Sequence, residues 1–201
     1  LDVSFYTFEL PFLRFLLGFA FAATFIALAL GVVVHYLFGG LRLQPKGDRA
    51  TTAAQVQISI TVAIFLFLKA IAYWLDRYDL VIQSSDLAGG FTGLQYTDVN
   101  AKLPALNILT FVALLVGLLF LLNAFRRQWI IPLIGLGLMV LTSVIVGGVY
   151  PLIVQQFQVR PSELVRDRPY IERNIEATRT AYKIDDAEIE RERNVIEEEW
   201  R

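Results

Sequence analysis

The chain has 201 residues, of which 56% are hydrophobic, and its mean hydropathy of +0.54 is too high for an ordinary soluble domain. The formal net charge is -1, so no overall bias directs the chain to nucleic acid, and the positions of the charges are more informative than their sum. Because cysteine is absent, disulfides, thiolate metal sites and a cysteine nucleophile are excluded within this sequence.

Four long apolar runs predict four membrane-spanning helices. The first run contains twenty consecutive uncharged residues, from Phe15 to Val34. About 20 helical residues are needed to cross a hydrocarbon core of about 30 Å. The predicted helices lie at about residues 11–37, 55–76, 103–125 and 128–150. The expected fold class is an all-α integral membrane protein, with a transmembrane four-helix segment over residues 1–150 and a short extracytoplasmic helical segment after it.

The charges of the loops predict the orientation of these helices. Loop 39–50 carries three basic residues and one acidic residue, and the turn at Arg126-Arg127 is basic. Loop 76–102 carries four Asp residues and two basic residues. Since short loops rich in Lys and Arg stay in the cytoplasm, residues 1–10 and 151–201 are predicted to be extracytoplasmic.

The polar segment after Tyr150 is predicted to begin with an extended stretch at residues 151–159. An amphipathic helix should follow, because three apolar residues recur there at helical spacing and form a narrow face: Ile171, Ile175 and Tyr182. A second helix is predicted from Asp185, where Glu188 completes a capping-box pattern. Two short helices cannot bury a core of their own. We therefore expect the apolar face to dock against residues 91–96, the membrane helices, a protein partner or residues outside this chain.

Several long motifs carry a family resemblance along nearly the whole chain: FELPFLRFLLG, HYLFGGLRLQ, LKAIAYWLDRY, FTGLQYTDVNAKLPAL and YPLIVQQFQVRPSELVRDRPYIERNIEATRTAY. Together they resemble uncharacterised protein family 0182, bacterial membrane proteins that are common in actinobacteria. The resemblance implies several membrane helices followed by a large extracytoplasmic domain, and a location in the bacterial plasma membrane. It also implies that this chain is an internal segment of such a protein. It implies no activity and supplies no functional residues.

Two cations lie within the apolar runs, Arg14 and Lys69. A cation there is costly unless it is paired, hydrated or near an interface. The favoured interpretation is that both side chains reach the outer headgroups. A sharper hypothesis adds Glu9 and Asp76, which lie at the same level, and predicts an outer-leaflet ion cluster of Glu9, Arg14, Lys69 and Asp76.

No cofactor or metal site is predicted. His35 is the only histidine, so two axial histidine ligands for a haem cannot come from this chain. The acidic run at residues 197–199 lacks the alternating oxygen ligands of a calcium loop and is interpreted as a solvated helix face.

Three functions are compatible with this pattern, and the first is favoured. In the first, the chain is a membrane anchor or scaffold that holds an extracytoplasmic domain or binds a partner membrane complex. In the second, it is part of a transporter or channel, with Arg14 and Lys69 near the pathway; the third and fourth helices contain no charge, which argues against this. In the third, an enzyme activity lies outside this chain, since no catalytic motif is found within it. The predicted partners are the lipid bilayer and a protein, without nucleic acid; the pattern predicts no oligomeric state.

Overall fold

The computed structural model describes residues 3–41, 50–82, 93–126 and 128–182, together with residues 184 and 193. Within these ranges the ordered elements are helices, and the β-pairing found there is one isolated bridge between Leu41 and Ala50. Four helices are long and apolar enough to cross a membrane: Phe5–Leu37, Thr52–Asp79, Asp98–Arg126 and Ile130–Ser162. The predicted fold class, an all-α membrane protein with four spanning helices, is confirmed.

Helix α1 spans Leu10–Leu37 and continues a π-helical turn at Phe5–Glu9. Pro11 lies in its first turn, where the missing N–H would have no intrahelical partner. Helix α2 spans Thr52–Asp79, and Thr51 caps it by accepting a hydrogen bond from the Ala54 N–H. The α1 helix packs on α2 through a small cluster of buried residues: Leu10, Leu17, Ala72 and Leu75.

Helix α3 spans Leu103–Arg126, after a π-helical turn at Asp98–Lys102, and it forms the centre of the molecule with α2. Small residues make this pair close: a Cβ at Gly117 would lie 2.9 Å from Cε1 of Phe67. The main core is shared by α2, α3 and the following helix: Ala63, Leu66, Ala70, Tyr73, Leu109, Ala113, Val116, Phe120 and Met139.

The last part of the chain is an unbroken run of helical residues from 130 to 182. It contains α4 (Ile130–Val144), a π-helical turn (Ile145–Val149), α5 (Tyr150–Ile153), a second π-helical turn (Val154–Val159), a 3₁₀ turn (Arg160–Ser162) and α6 (Glu163–Tyr182).

The prediction of an extended stretch at residues 151–159 is wrong, because these residues are helical. Pro151 lies at the start of α5, directly after a π-helical turn. In such a turn the N–H groups bond to carbonyls five residues back instead of four. The changed hydrogen-bond pattern allows the helix to continue through the proline. Val154 and Val159 are buried with Ala101, a tertiary contact that the local composition does not reveal. The second predicted helix, from Asp185, lies outside the described residues.

The two ends of the bundle are identified by the residues found there. The Arg14 end contains the start of α1, the end of α2 and the start of α3. At the opposite end, the His35 end, His35 Nε2 lies 2.9 Å from Gln57 Oε1 and the Thr51 N–H donates to the Gly40 carbonyl at 2.8 Å. These contacts join the end of α1 to the start of α2.

Candidate functional site

An ion cluster joins α1 to α2 at the Arg14 end. Arg14 Nη1 lies 2.7 Å from Asp76 Oδ1, and Arg14 Nη2 contacts Asp79 Oδ2. Asp76 and Asp79 are three residues apart on one helix, so their carboxylates lie on the same face. The planar guanidinium can bind two carboxylates at once. We call Arg14, Asp76 and Asp79 the Arg14 cluster.

The Arg14 cluster differs in membership from the ion cluster that the sequence suggested. The structure brings Arg14 and Asp76 together and adds Asp79, whose spacing from Asp76 was a signal that sequence reasoning missed. Glu9 is exposed, and among the described residues no ion pair joins it to the cluster. Five residues separate it from Arg14, which turns it by about 140° around a helix with 3.6 residues per turn.

Lys69 also lies apart from the Arg14 cluster. Its Nζ is 4.4 Å from the centroid of the Tyr73 ring, one turn along α2. Seven residues separate Lys69 from Asp76, which corresponds to roughly 10 Å along a helix and exceeds ion-pair distance. The ammonium group therefore interacts with an aromatic face, at a site distinct from the carboxylates.

A cavity of about 250 Å³ adjoins the Arg14 cluster. Its lining combines the charged groups of α2 and of the π-helical turn before α3 with apolar residues and a glycine after α4: Asp76, Asp79, Leu80, Lys102, Ala105, Leu106 and Gly147. Lys102 Nζ lies 2.8 Å from Asp98 Oδ1. The two carboxylates that line this cavity are thus paired with Arg14, and its lysine is paired with Asp98. Across the described ranges, no group of three His, Asp or Glu side chains is placed to hold a metal ion.

A second contact region holds the helical run after α4 against the start of α3. The Tyr96 N–H donates to Asp167 Oδ1 at 2.8 Å, and the Arg166 guanidinium lies 5.0 Å from the centroid of the Tyr96 ring. Thr97 Oγ1 donates a hydrogen bond to Gln155 Oε1. We call these five residues the Tyr96 junction.

Asp167 is the most informative residue of the Tyr96 junction, because its exposed fraction is 1%. A buried carboxylate is unfavourable unless it accepts hydrogen bonds, and the Tyr96 N–H supplies one. Val154 and Val159 pack on Ala101, and Tyr96 packs against the same cluster. Sequence reasoning missed Asp167, since an acidic residue in a charged helix resembles a solvated one.

The predicted docking face on α6 remains open over the described part of the chain. Ile171 is half-buried, Ile175 is 48% exposed and Tyr182 is 73% exposed. Tyr96 does contact α6, as the predicted position of the loop suggested, but through Arg166 and Asp167 rather than through the apolar face. Residues 91 and 92 of that loop lie outside the described residues, as do residues 197–199 of the acidic run.

Comparison with known proteins places the chain in a family. A model of the Uncharacterised protein family (UPF0182) matches residues 1–199. The chain belongs to this family. A UPF0182 protein of Streptomyces coelicolor is 50% identical over 191 residues, which are 94% of this chain and 19% of that protein. A UPF0182 protein of Frankia alni is 52% identical over 183 residues, which are 91% of this chain and 18% of that protein.

A third UPF0182 relative, from Thermobifida fusca, is 52% identical over 190 residues, or 94% of this chain and 18% of that protein. The chain thus spans about a fifth of the length of the curated relatives it matches. No solved structure matches it. The UPF0182 description names no activity, so it assigns no role to the Arg14 cluster or to the Tyr96 junction.

Proposed function

We propose that this segment of a UPF0182 protein is a membrane anchor in the bacterial plasma membrane, which holds a domain on the extracytoplasmic side. The observation that carries the proposal is the unbroken helical run from 130 to 182, which begins as a membrane helix and ends as a polar helix. A helix that continues from the membrane into water fixes the position of the following domain relative to the bundle.

The Tyr96 junction supports this role because it fixes the run at the point where it leaves the bundle. Gln155 binds Thr97, and Asp167, 12 residues further along the run, binds the adjacent residue Tyr96. Two attachment points on one short segment restrict the tilt of the run more than one point does. The 20 residues of α6 correspond to roughly 30 Å of helix, enough to place its far end well beyond the Arg14 end.

The open docking face supports a further contact with the domain that is held. Burial of each large apolar side chain contributes roughly 1.5 to 3 kcal/mol, so an uncovered row of them indicates a surface to be covered. The arrangement gives no comparable support to a transport role. Arg14 is occupied by two carboxylates, and Lys69 lies against Tyr73.

The test uses the full-length protein in right-side-out membrane vesicles, with a specific protease site inserted after Tyr182. We expect added protease to cut the site without permeabilisation. The downstream fragment should then sediment with the membranes, and the double variant Ile171→Asp/Ile175→Asp should release it to the supernatant. A matched control is Ala177→Asp/Ala181→Asp, which adds the same charges at the same spacing on another face of α6.

Two results would contradict the proposal in different ways. A site that is cut only after permeabilisation would place α6 on the cytoplasmic side and refute the anchor orientation. A fragment that sediments equally in wild type and in the Ile171→Asp/Ile175→Asp variant would show that the docking face holds nothing.

A further inference from the structure

A long apolar groove lies between α1 and α4, with α2 as its floor. Its volume is about 510 Å³. Phe25 and Leu28 form one wall, Met139 and Val140 form the other, and Lys69 and Tyr73 lie in the floor. An apolar cavity of about 150 Å³ accommodates a benzene ring, so this groove has room for several large side chains.

Lys69 makes this groove unlike an ordinary lipid-facing surface. Its ammonium group lies in an apolar run, and it contacts the Tyr73 ring. The Tyr73 hydroxyl lies 3.3 Å from Ser143 Oγ, so the two neighbouring hydroxyls bind each other. Over the described residues, no Asp or Glu forms an ion pair with Lys69. A lysine inside a membrane is normally paired with a carboxylate or hydrated, and this one is neither fully buried nor paired.

The occupant of the groove must therefore be apolar and carry a negative charge at the depth of Lys69. An acyl chain of a lipid would fill the space without supplying the charge. A second copy of this chain is also unsuitable, because the acidic residues on its four described spanning helices lie near the Arg14 end: Glu9, Asp76, Asp79 and Asp98. None of these lies at the depth of Lys69, which is roughly 10 Å along α2 from Asp76.

We propose that the groove holds another membrane helix of the same UPF0182 polypeptide, and that this helix carries an Asp or Glu that pairs with Lys69. The length of the relatives supports this occupant, since the chain spans about a fifth of them and the remainder can supply further helices. The positive charge of Lys69 restricts the occupant further, because the helix must carry a carboxylate at the depth of Lys69 to pair with it. The proposal concerns packing within the membrane and does not depend on the anchor role.

The first test is photo-crosslinking of the full-length protein in its native membrane. Leu28 and Val140, on opposite walls of the groove, are replaced one at a time by p-benzoylphenylalanine, and crosslinked peptides are identified by mass spectrometry. Phe111 on α3 is the control position, since it is 68% exposed and does not line the groove. We expect both groove positions to capture one peptide from outside residues 1–201, with an Asp or Glu within one turn of the crosslink, and Phe111 not to capture it.

The second test is a charge exchange. Lys69→Asp should abolish that crosslink, and changing the captured acidic residue to Lys in the same protein should restore it. Lys69→Met serves as a variant that removes the charge without creating repulsion, and its crosslink should be weakened rather than lost. Adducts with lipid only, crosslinks to a second copy, a captured peptide without a carboxylate, or failure of the exchange to restore the crosslink would each overturn the proposal.

Discussion

At the scale of single residues, the guanidinium of Arg14 suits a position between two carboxylates. Asp76 and Asp79 would repel each other at the end of α2 if they had no shared cation, and a guanidinium can bind both carboxylates at once. A lysine could supply the charge but not two parallel contacts with fixed geometry.

We therefore predict that Arg14→Met lowers the stability of the protein. The exposed fractions of the three side chains are 29%, 36% and 34%, so solvent screens their attraction in part. The loss should be about 1 to 2 kcal/mol, between the values for exposed and buried ion pairs. For a chain of this size that corresponds to a fall in Tm of roughly 2 to 8 °C, measured by thermal unfolding in detergent.

Two controls accompany the Arg14 prediction. Arg14→Lys should lose less than Arg14→Met, because the charge is kept. Glu9→Gln should leave the Tm unchanged, since Glu9 is exposed and outside the Arg14 cluster. Equal Tm values for Arg14→Met and Glu9→Gln would mean that the cluster contributes nothing to stability.

Asp167 gives the second prediction at this scale. Asp167→Ala removes the acceptor of the Tyr96 N–H in a buried position, and an unpaired buried donor costs about 1 to 3 kcal/mol. We expect faster hydrogen exchange at the Tyr96 amide and earlier proteolysis within α6. Glu172→Ala is the comparison, because its ion pair with Arg168 is exposed and contributes little. If both variants exchange at the wild-type rate, the Tyr96 junction does not hold α6.

The residues of the candidate sites could be inferred from the sequence only in part. A cation inside an apolar run indicates a partner, and this directed attention to Arg14 and to Asp76. Asp79 required knowledge of which face of α2 meets α1, and Asp167 required the packing of α6 on the start of α3. The three-residue spacing places Asp79 on the same face as Asp76, but it does not reveal that this face meets α1, and no local spacing reveals the packing of α6.

At the scale of elements, the approach of α2 and α3 depends on Gly117. A Cβ there would lie 2.9 Å and 3.0 Å from two atoms of the Phe67 ring and 3.4 Å from Leu66 Cβ. We predict that Gly117→Ala destabilises the protein by about 1 to 3 kcal/mol, because the ring and the helices must move apart. Thermal unfolding in detergent measures the change.

Gly137→Ala on α4 is the matched control for Gly117→Ala. No atom lies within 4 Å of a Cβ at this position. Both substitutions exchange glycine for a better helix former, which by itself stabilises a helix by up to about 1 kcal/mol. Gly137→Ala should therefore keep or raise the Tm. A rise of similar size in both variants would show that the helices have space at Gly117.

The elements themselves were largely predictable because each spanning helix contains an apolar run of the length that a bilayer requires, and the run in α2 is interrupted only by Lys69. The error occurred at residues 151–159, where Pro151 and three glutamines suggested an extended chain. Burial of Val154 and Val159 against Ala101 stabilises the helix there. A proline inside a helix is also compatible with a π-helical turn before it, and single-sequence patterns do not reveal such a turn.

At the scale of the whole molecule, the described polar side-chain contacts between α1 and α2 lie at two levels about one membrane thickness apart. About 20 residues separate His35 from Arg14 on α1, and a similar number separates Gln57 from Asp76 on α2. This corresponds to roughly 30 Å, the thickness of the hydrocarbon core. The Arg14 cluster and the His35–Gln57 contact therefore lie where the two faces of a bilayer would be.

The orientation between these two faces is the last prediction, and it follows from charge. The basic sequence 39–50 connects α1 to α2 at the His35 end, and Arg126 is the last residue of α3 at the same end. Short segments rich in Lys and Arg stay in the cytoplasm, so this end should face the cytoplasm. Because the chain contains no cysteine, single cysteines can be introduced at exposed positions, in a full-length protein whose other cysteines are replaced by serine. We expect Glu172→Cys to react with a membrane-impermeant maleimide on intact cells, and Arg126→Cys to react only after permeabilisation. The opposite pattern would place α6 in the cytoplasm, and a bundle oriented against its own basic loops would then need a different physical explanation.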